Sequence, residues 1–385
     1  MRSFLTLALA SFSLTLASAL TVGCGGGVET TPGGGGSGGT SGSVSTGTVV
    51  EDTGPGSSVS STTSTSATSS TSVTNGASSS SSGGFTPTCT ASTGTVLAAN
   101  QLFLGDKTFD GTTDANAWKL FGFNVDGKVS DASSTDLCKP VSGSSAASVY
   151  PDGNNGNDNS FGKNIVPVIE GVAADFSSSV NDQIASGSFT IMVELESLGA
   201  DPDQATLSAK LYGGATLGSA PKFDGTDCWP VVPELLSNPS DIQSSTIVFS
   251  QGSLAGDVWT SGVIPKLALS FNSQVGVISL TIHQAQMSLK LDADHKGGTL
   301  GQIGGVLDTE EFLKQIQTAI AGAAGAFACH LADNQIRQAS DIMNDGSEDP
   351  TKTCNGISIG LGFTMKEVQL GGVAPPSQPG SATCP

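Results

Sequence analysis

Apolar and polar residues alternate along several stretches of the chain, and a period of two predicts β-strands. The apolar positions of three such stretches are Phe189, Ile191, Val193 and Leu195, then Leu207, Ala209 and Leu211, and then Leu267, Leu269 and Phe271. Each strand should bury one face and expose the other, as antiparallel strands commonly do. Asp126-Gly127 is a preferred two-residue connection, so residues 118–129 predict a further hairpin.

Two longer stretches change the parity of their apolar positions. The apolar sets are Ile278, Leu280 and Ile282 followed by Ala285, Met287, Leu289 and Leu291, and Ile357, Ile359, Leu361, Phe363 and Met365 followed by Val368 and Leu370. A strand cannot change faces without a fault, which predicts a bulge or bend near His283-Gln284 and a similar change near Lys366-Glu367. Strands of this kind suit two packed sheets, so the predicted fold is mainly β, an antiparallel β-sandwich of jelly-roll-like type.

Residues 308–345 interrupt the β pattern with a helical one. Asp308 stands where it can cap a helix together with Glu311, and apolar residues then recur at helical spacing. A second short helix is predicted from Asn334 to Asn344. The sandwich should therefore carry a helical hairpin as an insert.

The N-terminus has the features of an export signal. Residues 1–23 contain Arg2, then an apolar run, then small residues before Cys24. Val-Gly-Cys followed by Gly resembles the lipobox of bacterial lipoproteins, which implies that Cys24 is acylated and anchors the protein to the cell envelope. We interpret the membrane as the outer membrane. Thr21 stands where a lipobox usually carries Leu, and Ala17-Ser18-Ala19 offers a rival cut that would release a soluble secreted protein.

Composition divides the rest of the chain. Residues 24–88 begin with the candidate lipidated Cys24 and continue as a Gly/Ser/Thr linker without Lys or Arg, which should stay disordered and span about 40–50 Å. Residues 89–385 are predicted to form one β-rich globular domain. The formal net charge of −19 disfavours nucleic acid as a partner, because nucleic-acid binding needs cationic contacts.

Seven cysteines fit an oxidising compartment. Assigning Cys24 to lipid leaves an even set suited to disulfides, namely Cys89, Cys138, Cys228, Cys329, Cys354 and Cys384. Six cysteines allow fifteen connectivities, among which Cys329–Cys354 and Cys89–Cys384 are two suggestions.

Residues 152–160 alternate oxygen-bearing side chains with glycines, a composition that suits a Ca²⁺ loop. The candidate ligands are Asp152, Asn154 and Asp158. The segment is not an EF-hand, since Asn157 occupies the glycine position and Lys163 the position of the closing acid. The alternative is an Asx-rich surface turn that binds nothing.

Two other sets of residues have a functional and a structural interpretation. Glu194 and Glu196 fit a glycosidase-like carboxylate pair or, as we favour, a solvent-facing strand edge. Trp118, Trp229 and Trp259 fit sugar stacking or, by default, core packing. No catalytic residue is assigned.

The resemblance to a known group rests on the lipobox-like Cys24, the Gly/Ser/Thr spacer and three segments, at Trp118–Gly127, Asp152–Gly162 and Asp349–Cys354. Together they look like surface lipoproteins of the myxobacterial type. The resemblance implies the lipid anchor and no particular activity.

Three hypotheses of function follow. The favoured one is a non-catalytic envelope lipoprotein that binds carbohydrate or another extracellular ligand. The second is an extracytoplasmic hydrolase that acts on glycans through acids such as Glu194 or Asp158. The third is a purely structural envelope protein.

Overall fold

The computed structural model describes residues 88–273, 276–320 and 333–376. Its strands are β1 Gly94–Phe103, β2 Thr190–Glu196, β3 Ala209–Gly214, β4 Cys228–Val231, β5 Ile247–Phe249, β6 Ser253–Ala255, β7 Val258–Ser273, β8 Gly276–Leu291, β9 Gly297–Asp308 and β10 Gly356–Val373. Its α-helices are α1 Ala146–Val149, α2 Val166–Val172, α3 Phe176–Ala185 and α4 Thr309–Ile320. Residues 333–338 are also helical. Short 3-10 turns lie at Ala117–Leu120, Asn154–Gly156 and Pro233–Leu235, and a π turn lies at Phe161–Ile165.

The strands form one mixed sheet in the order β1-β2-β3-β4-β10-β9-β8-β7-β6, with β5 beside β3. Strand β4 runs parallel to β10, and the other pairings of named strands in the described residues are antiparallel. Strand β1 also pairs with β10, so β1, β2, β3, β4 and β10 form a closed circuit. The mainly β prediction is confirmed. The sandwich is not confirmed, because the strands belong to one continuous sheet that closes on itself at one end.

The circuit separates two hydrophobic cores. A small core lines its inner face, composed of Val96, Ala98, Met192, Tyr212, Trp229, Val231, Leu236, Val368 and Leu370. A much larger core lies on the other face of the sheet, where it packs against residues of α2, α3 and α4. Strand β2 therefore buries both faces, and the expectation that it is half exposed is wrong.

Strand β8 contains the predicted β-bulge. Its pairing with β9 shifts register between His283 and Gln286, and Gln284 has a φ of 50°. The extra residue turns the strand, so Ile282 and Ala285 both face the large core. The bulge predicted from the change of parity is confirmed.

Strand β10 changes its buried side by a different route. Its pairing with β1 continues without a shift from Met365 to Val368, so no bulge lies at Lys366-Glu367. Met365 faces the large core and Val368 faces the small one, on the opposite side of the sheet. The apolar positions change parity because the core changes sides while the strand alternates regularly. The sequence pattern alone does not distinguish these two causes.

Helix α4 begins as the sequence predicts. The Asp308 carboxylate accepts hydrogen bonds from the backbone N–H groups of Glu310 and Glu311, at 3.1 and 2.9 Å. The second helix ends earlier than predicted, at residue 338 and not at Asn344, and Ile342 instead forms a bridge with Gly356. Residues 321–332 lie outside the described residues, and the helical hairpin is not confirmed.

The hairpin expected at residues 118–129 is absent from this described part of the chain. The segment begins with Trp118 in a 3-10 turn. The Lys128 N–H donates to the Asp126 carboxylate across the Asp-Gly turn. The flanking backbone bonds to the segment near Asp152 and Asp158, which satisfies it without strand pairing.

Two disulfides join distant parts of the chain, Cys89–Cys228 and Cys138–Cys354, with Cα separations of 4.8 and 5.1 Å. Both suggested pairings were wrong, because Cys89 and Cys354 each bond to a cysteine brought near by the sheet. Cys329 and Cys384 lie outside the described residues, as does the candidate lipidation site Cys24. The disulfides indicate an extracytoplasmic environment.

Strand β10 closely approaches residues 121–122, so a larger side chain at Gly360 should destabilise the fold. A Cβ at this position would meet the Phe121 carbonyl oxygen at 2.5 Å, so Gly360→Ala should lower the free energy of unfolding by about 1–3 kcal/mol. Gly171→Ala is the matched control, since Gly171 lies in α2 with open space around it. This substitution should raise the free energy of unfolding by about 0.5–1 kcal/mol. Chemical denaturation measures both. A Gly360→Ala protein as stable as the parent would contradict the described packing.

Candidate functional site

Five carboxyl groups from separate parts of the chain influence one another's ionisation beside the large core. We call Asp126, Asp152, Asp158, Asp341 and Glu348 the carboxyl cluster. The cluster joins the loop after the first 3-10 turn, the segment before the π turn, and the segments between the 333–338 helix and β10. Burial is the largest cause of a raised pKa in all five groups.

Asp152 and Asp158 influence each other's ionisation. The buried Asp158 carboxyl accepts a hydrogen bond from the Val125 N–H at 2.7 Å, and Asp152 accepts one from the Ser130 N–H. The charge of Asp152 raises the pKa of Asp158, because two carboxylates repel each other. This repulsion and burial both favour the protonated form of Asp158.

Burial sets the ionisation of the cluster. Burial raises the pKa of Asp158 to about 9, and the charges of Asp126, Asp341 and Asp152 add to the effect. Burial also raises the pKa of Asp152 to about 6, against the hydrogen bond from Ser130. The pKa values of Asp341 and Glu348 are each raised by burial to about 7. The cluster therefore holds protons at neutral pH.

Two lysines supply positive charge near the cluster. Lys163, in the π turn, has its pKa lowered by burial, while the charges of Asp341 and Asp152 partly oppose this effect. Its Nζ donates to the Pro151 carbonyl at 3.3 Å and lies 5.0 Å from the centre of the Trp118 ring. The charge of Lys128 opposes the rise in the pKa values of Asp126 and Glu348. Two ammonium groups do not balance five carboxyl groups, so protons supply the remaining neutralisation.

The residues after Asp158 hold neighbouring segments together. Asn159 Oδ1 accepts from the Gly162 and Gly360 N–H groups, each at 2.9 Å, and its Nδ2 donates to the Trp118 carbonyl at 3.0 Å. The Ser160 N–H donates to the Ser358 hydroxyl at 2.8 Å. The second half of the predicted calcium loop thus links the first 3-10 turn to β10, a structural role that the sequence did not indicate.

The candidate calcium ligands are only partly brought together. Asp152 and Asp158 affect each other's pKa, whereas Asn154 lies exposed in the Asn154–Gly156 turn. No group of three or more His, Cys, Asp or Glu side chains within the described ranges is arranged to hold a metal ion. Calcium binding here stays a prediction.

The acids proposed for hydrolysis are engaged in the fold. Glu194 is fully buried at the edge of the small core, where its carboxylate accepts from the Tyr212 hydroxyl at 2.9 Å and the Thr93 N–H at 2.8 Å. Burial and Glu194 raise the pKa of Tyr212. Glu196 is half-buried and forms an ion pair with Lys210 at 2.7 Å. The expectation of a solvent-facing edge is wrong for Glu194, because the closed circuit covers that face.

The three tryptophans pack in the interior, which is the interpretation that we took as the default. Trp118, Trp229 and Trp259 are all buried, and the indole N–H groups of the last two donate to the carbonyls of Ala215 and Leu207. None of these rings is available to stack on a sugar at the surface.

Sequence reasoning missed Asp126, Asp341 and Glu348 as members of the cluster. Asp126 was assigned to a hairpin turn, and the other two lie nearly two hundred residues from Asp158 in the chain. No local pattern marks them. Only Asp152 and Asp158 carried a local signal, the Asx-rich composition of residues 152–160.

The raised pKa values predict that acidification stabilises the protein. Between about pH 4 and 9 the folded state binds more protons than the unfolded state, so this contribution is complete below the unfolded pKa values and is lost as the pH rises through the folded ones. We expect the free energy of unfolding to be about 2–4 kcal/mol higher at pH 5 than at pH 8. Denaturant titration at several pH values measures it.

Asp158→Asn tests the assignment, because the amide oxygen can still accept from the Val125 N–H while the side chain no longer ionises. It should flatten the pH dependence and stabilise the protein at pH 8. Asp110→Asn is the control: Asp110 is exposed and hydrogen bonds, chiefly from Thr108, lower its pKa, so it titrates below this window. Stability that rises from pH 5 to pH 8 would refute the raised pKa values of the carboxyl cluster.

Among the described residues, no helix has the length and apolar character needed to cross a bilayer. Comparisons with protein-family models, with curated proteins and with solved structures each returned no match. The chain's own residues therefore carry the functional inference.

Proposed function

We propose that this protein is an extracytoplasmic lipoprotein, anchored to the cell envelope through Cys24, whose folded part is a non-catalytic binding module. The observation that carries the proposal is the pair of disulfides, because they suit a protein that has been exported. The signal-like residues 1–23 and the Gly/Ser/Thr spacer support the same conclusion. The anchor holds the module at the outer membrane, and the soluble secreted form is the alternative.

The ligand class that we propose is carbohydrate of the cell surface. Support comes from the surface beside the carboxyl cluster, where Asn124, Asn154 and Asn155 expose their side chains. Asn124 lies close to the backbone of Gly156, which brings these amides onto one surface. Amides both donate and accept hydrogen bonds, which suits the hydroxyl groups of sugars.

Binding is favoured over hydrolysis because Glu194 and Asp158, the acids that a hydrolase would use, are buried and hydrogen-bonded within the fold. A general acid must reach the substrate oxygen that it protonates. Glu194 is covered by Thr93 and Tyr212, and Asp158 by the backbone at Val125.

Calcium is a second ligand proposal for the same surface. A cation bound here would neutralise the same charges that protons neutralise on Asp152 and Asp158, so Ca²⁺ and protons should compete. The proposal requires Asn154 to turn toward the two acids, since its side chain is exposed.

The anchor predicts a lipid-modified N-terminus. Mass spectrometry of the mature protein should find Cys24 as the first residue with attached acyl chains, and Cys24→Ala should move the protein from the membrane fraction to the soluble fraction. Cys384→Ala, which also removes one cysteine, is the control and should stay with the membrane. An unmodified N-terminus at Leu20 would overturn the anchor.

The binding proposal predicts retention on immobilised cell-surface glycans. Asn124→Ala should weaken that retention about tenfold, the effect of losing roughly one to two hydrogen bonds, while leaving the melting temperature unchanged. Gln251→Ala, which removes an exposed amide on the β5–β6 turn, is the matched control. A blank result with both a glycan array and isolated envelope material would remove the binding role.

The same protein preparations test calcium by calorimetry. Ca²⁺ should bind more tightly at pH 8 than at pH 5, since it displaces protons from the two acids, and EDTA should reverse the gain in melting temperature. Asp158→Asn should abolish the effect. No heat of binding and no EDTA-dependent shift would end the calcium proposal without affecting the proposal for carbohydrate.

A further inference from the structure

The backbone from Cys89 to Thr93 crosses the end of the five-strand circuit before β1 begins. We call this segment the strap. We propose that the strap is a redox-controlled cover: reduction of the Cys89–Cys228 disulfide releases it and opens the buried Glu194 carboxylate to solvent. This inference does not depend on the lipid anchor or on the ligand proposed above.

Few described interactions hold the strap besides its disulfide. The Thr90 N–H donates to the Leu370 carbonyl at 2.8 Å and the Thr90 hydroxyl to the Gly371 carbonyl at 3.2 Å, both on β10. The Thr93 N–H and hydroxyl donate to Glu194 Oε1 at 2.8 and 3.1 Å. The strap therefore satisfies one oxygen of a carboxylate that is itself fully buried.

The strap lines a pocket that is partly open to solvent. A pocket of about 350 Å³ lies between the strap and the residues of β10 from Glu367 to Gln369, and Gly225 also lines it. Residues 89–91 and Thr93 are exposed on their outer side. With space on one side and solvent on the other, the segment has less packing to resist opening than the core strands have.

The two disulfides differ in their access to a reductant. Cys89 is exposed and Cys228 is half-buried, whereas Cys138 and Cys354 are 0% and 3% exposed. Thiol–disulfide exchange needs an attacking thiolate to reach a sulfur, so accessible disulfides are the labile ones. The Cys89–Cys228 bond should therefore be reduced first, while Cys138–Cys354 stays intact.

The reductant that we propose is a dithiol of the thioredoxin-like chemical class. Its thiolate attacks one sulfur of the Cys89–Cys228 bond, which breaks as a mixed disulfide forms, and the other cysteine leaves as a thiolate and takes up a proton. The second thiol of the reductant then attacks the mixed disulfide and releases the remaining cysteine. Two electrons pass to the protein, and the reductant departs as a disulfide.

Release of the strap changes the environment of Glu194. The carboxylate loses the two bonds from Thr93 and keeps the one from the Tyr212 hydroxyl, so water must replace the lost donors. Because a buried carboxylate without its donors is costly, opening of the strap and hydration of Glu194 should occur together. Reduction thus converts a sealed end of the small core into an open polar one.

The test uses the full-length protein under limited dithiothreitol. Alkylation and peptide mapping should show Cys89 and Cys228 reduced at least about tenfold faster than Cys138 and Cys354. In the singly reduced protein, hydrogen exchange of the Thr90 and Thr93 amides should rise about tenfold or more. Equal reduction rates, or unchanged exchange at these amides, would overturn the proposal.

Paired variants provide the control. Cys89→Ser combined with Cys228→Ser should reproduce the fast exchange of the strap without reductant, whereas Cys138→Ser with Cys354→Ser should leave exchange at Thr93 as in the parent. If the first pair does not fold, the singly reduced parent protein decides alone. A first pair that folds with a protected strap would show that the disulfide does not control the cover.

Discussion

Strand β10 is the element on which the architecture depends, because it pairs with three partners along eighteen residues. One edge bonds to β1, and the other bonds first to β9 and then to β4. The first half of the strand thereby belongs to the open sheet and the second half to the closed circuit. The large core packs on one face of β10 and the small core on the other. An error in the register of β10 would therefore disturb both cores.

The loops beside the open sheet depend on a different principle, the exclusion of water from carboxyl groups. Asp158 is tied to backbone at Val125, and the next two residues tie the same segment to Gly360 and Ser358 on β10. The acids are therefore buried as a consequence of positions fixed by neutral hydrogen bonds. Once buried, they retain protons, and the electrostatic cost that five ionised groups would impose is avoided.

Sequence patterns predicted those features that depend on neighbouring residues. The bulge at Gln284 and the cap at Asp308 were both visible, because period and capping chemistry act over a few positions. The closure of β1 onto β10 was not visible, since nothing in either strand distinguishes the inside of a circuit from a second sheet. Glu194 shows the result: a polar residue at an alternating position looks solvent-facing, yet Tyr212 and Thr93 provide it with a buried site.

The candidate site was predictable to a lesser degree. Local composition singled out Asp152 and Asp158. Their partners Asp341 and Glu348 precede β10 in the chain, and the long-range pairing of β9 with β10 brings them near. The prediction of the disulfide connectivity was wrong for the same reason. Cys138 and Cys354 are joined across 216 residues, and only the assembled sheet places them within bonding distance.

The cross-link at Cys89 also determines how the molecule carries mechanical load. A pull on the chain that precedes residue 89 reaches a branch point there, where one path follows the backbone toward β1 and the other crosses two sulfur atoms to β4. Strands β1 and β4 lie at different places in the circuit, so tension is divided between them and β1 is not peeled away one bond at a time. A domain held by its N-terminus in flowing fluid would gain from such a two-point attachment.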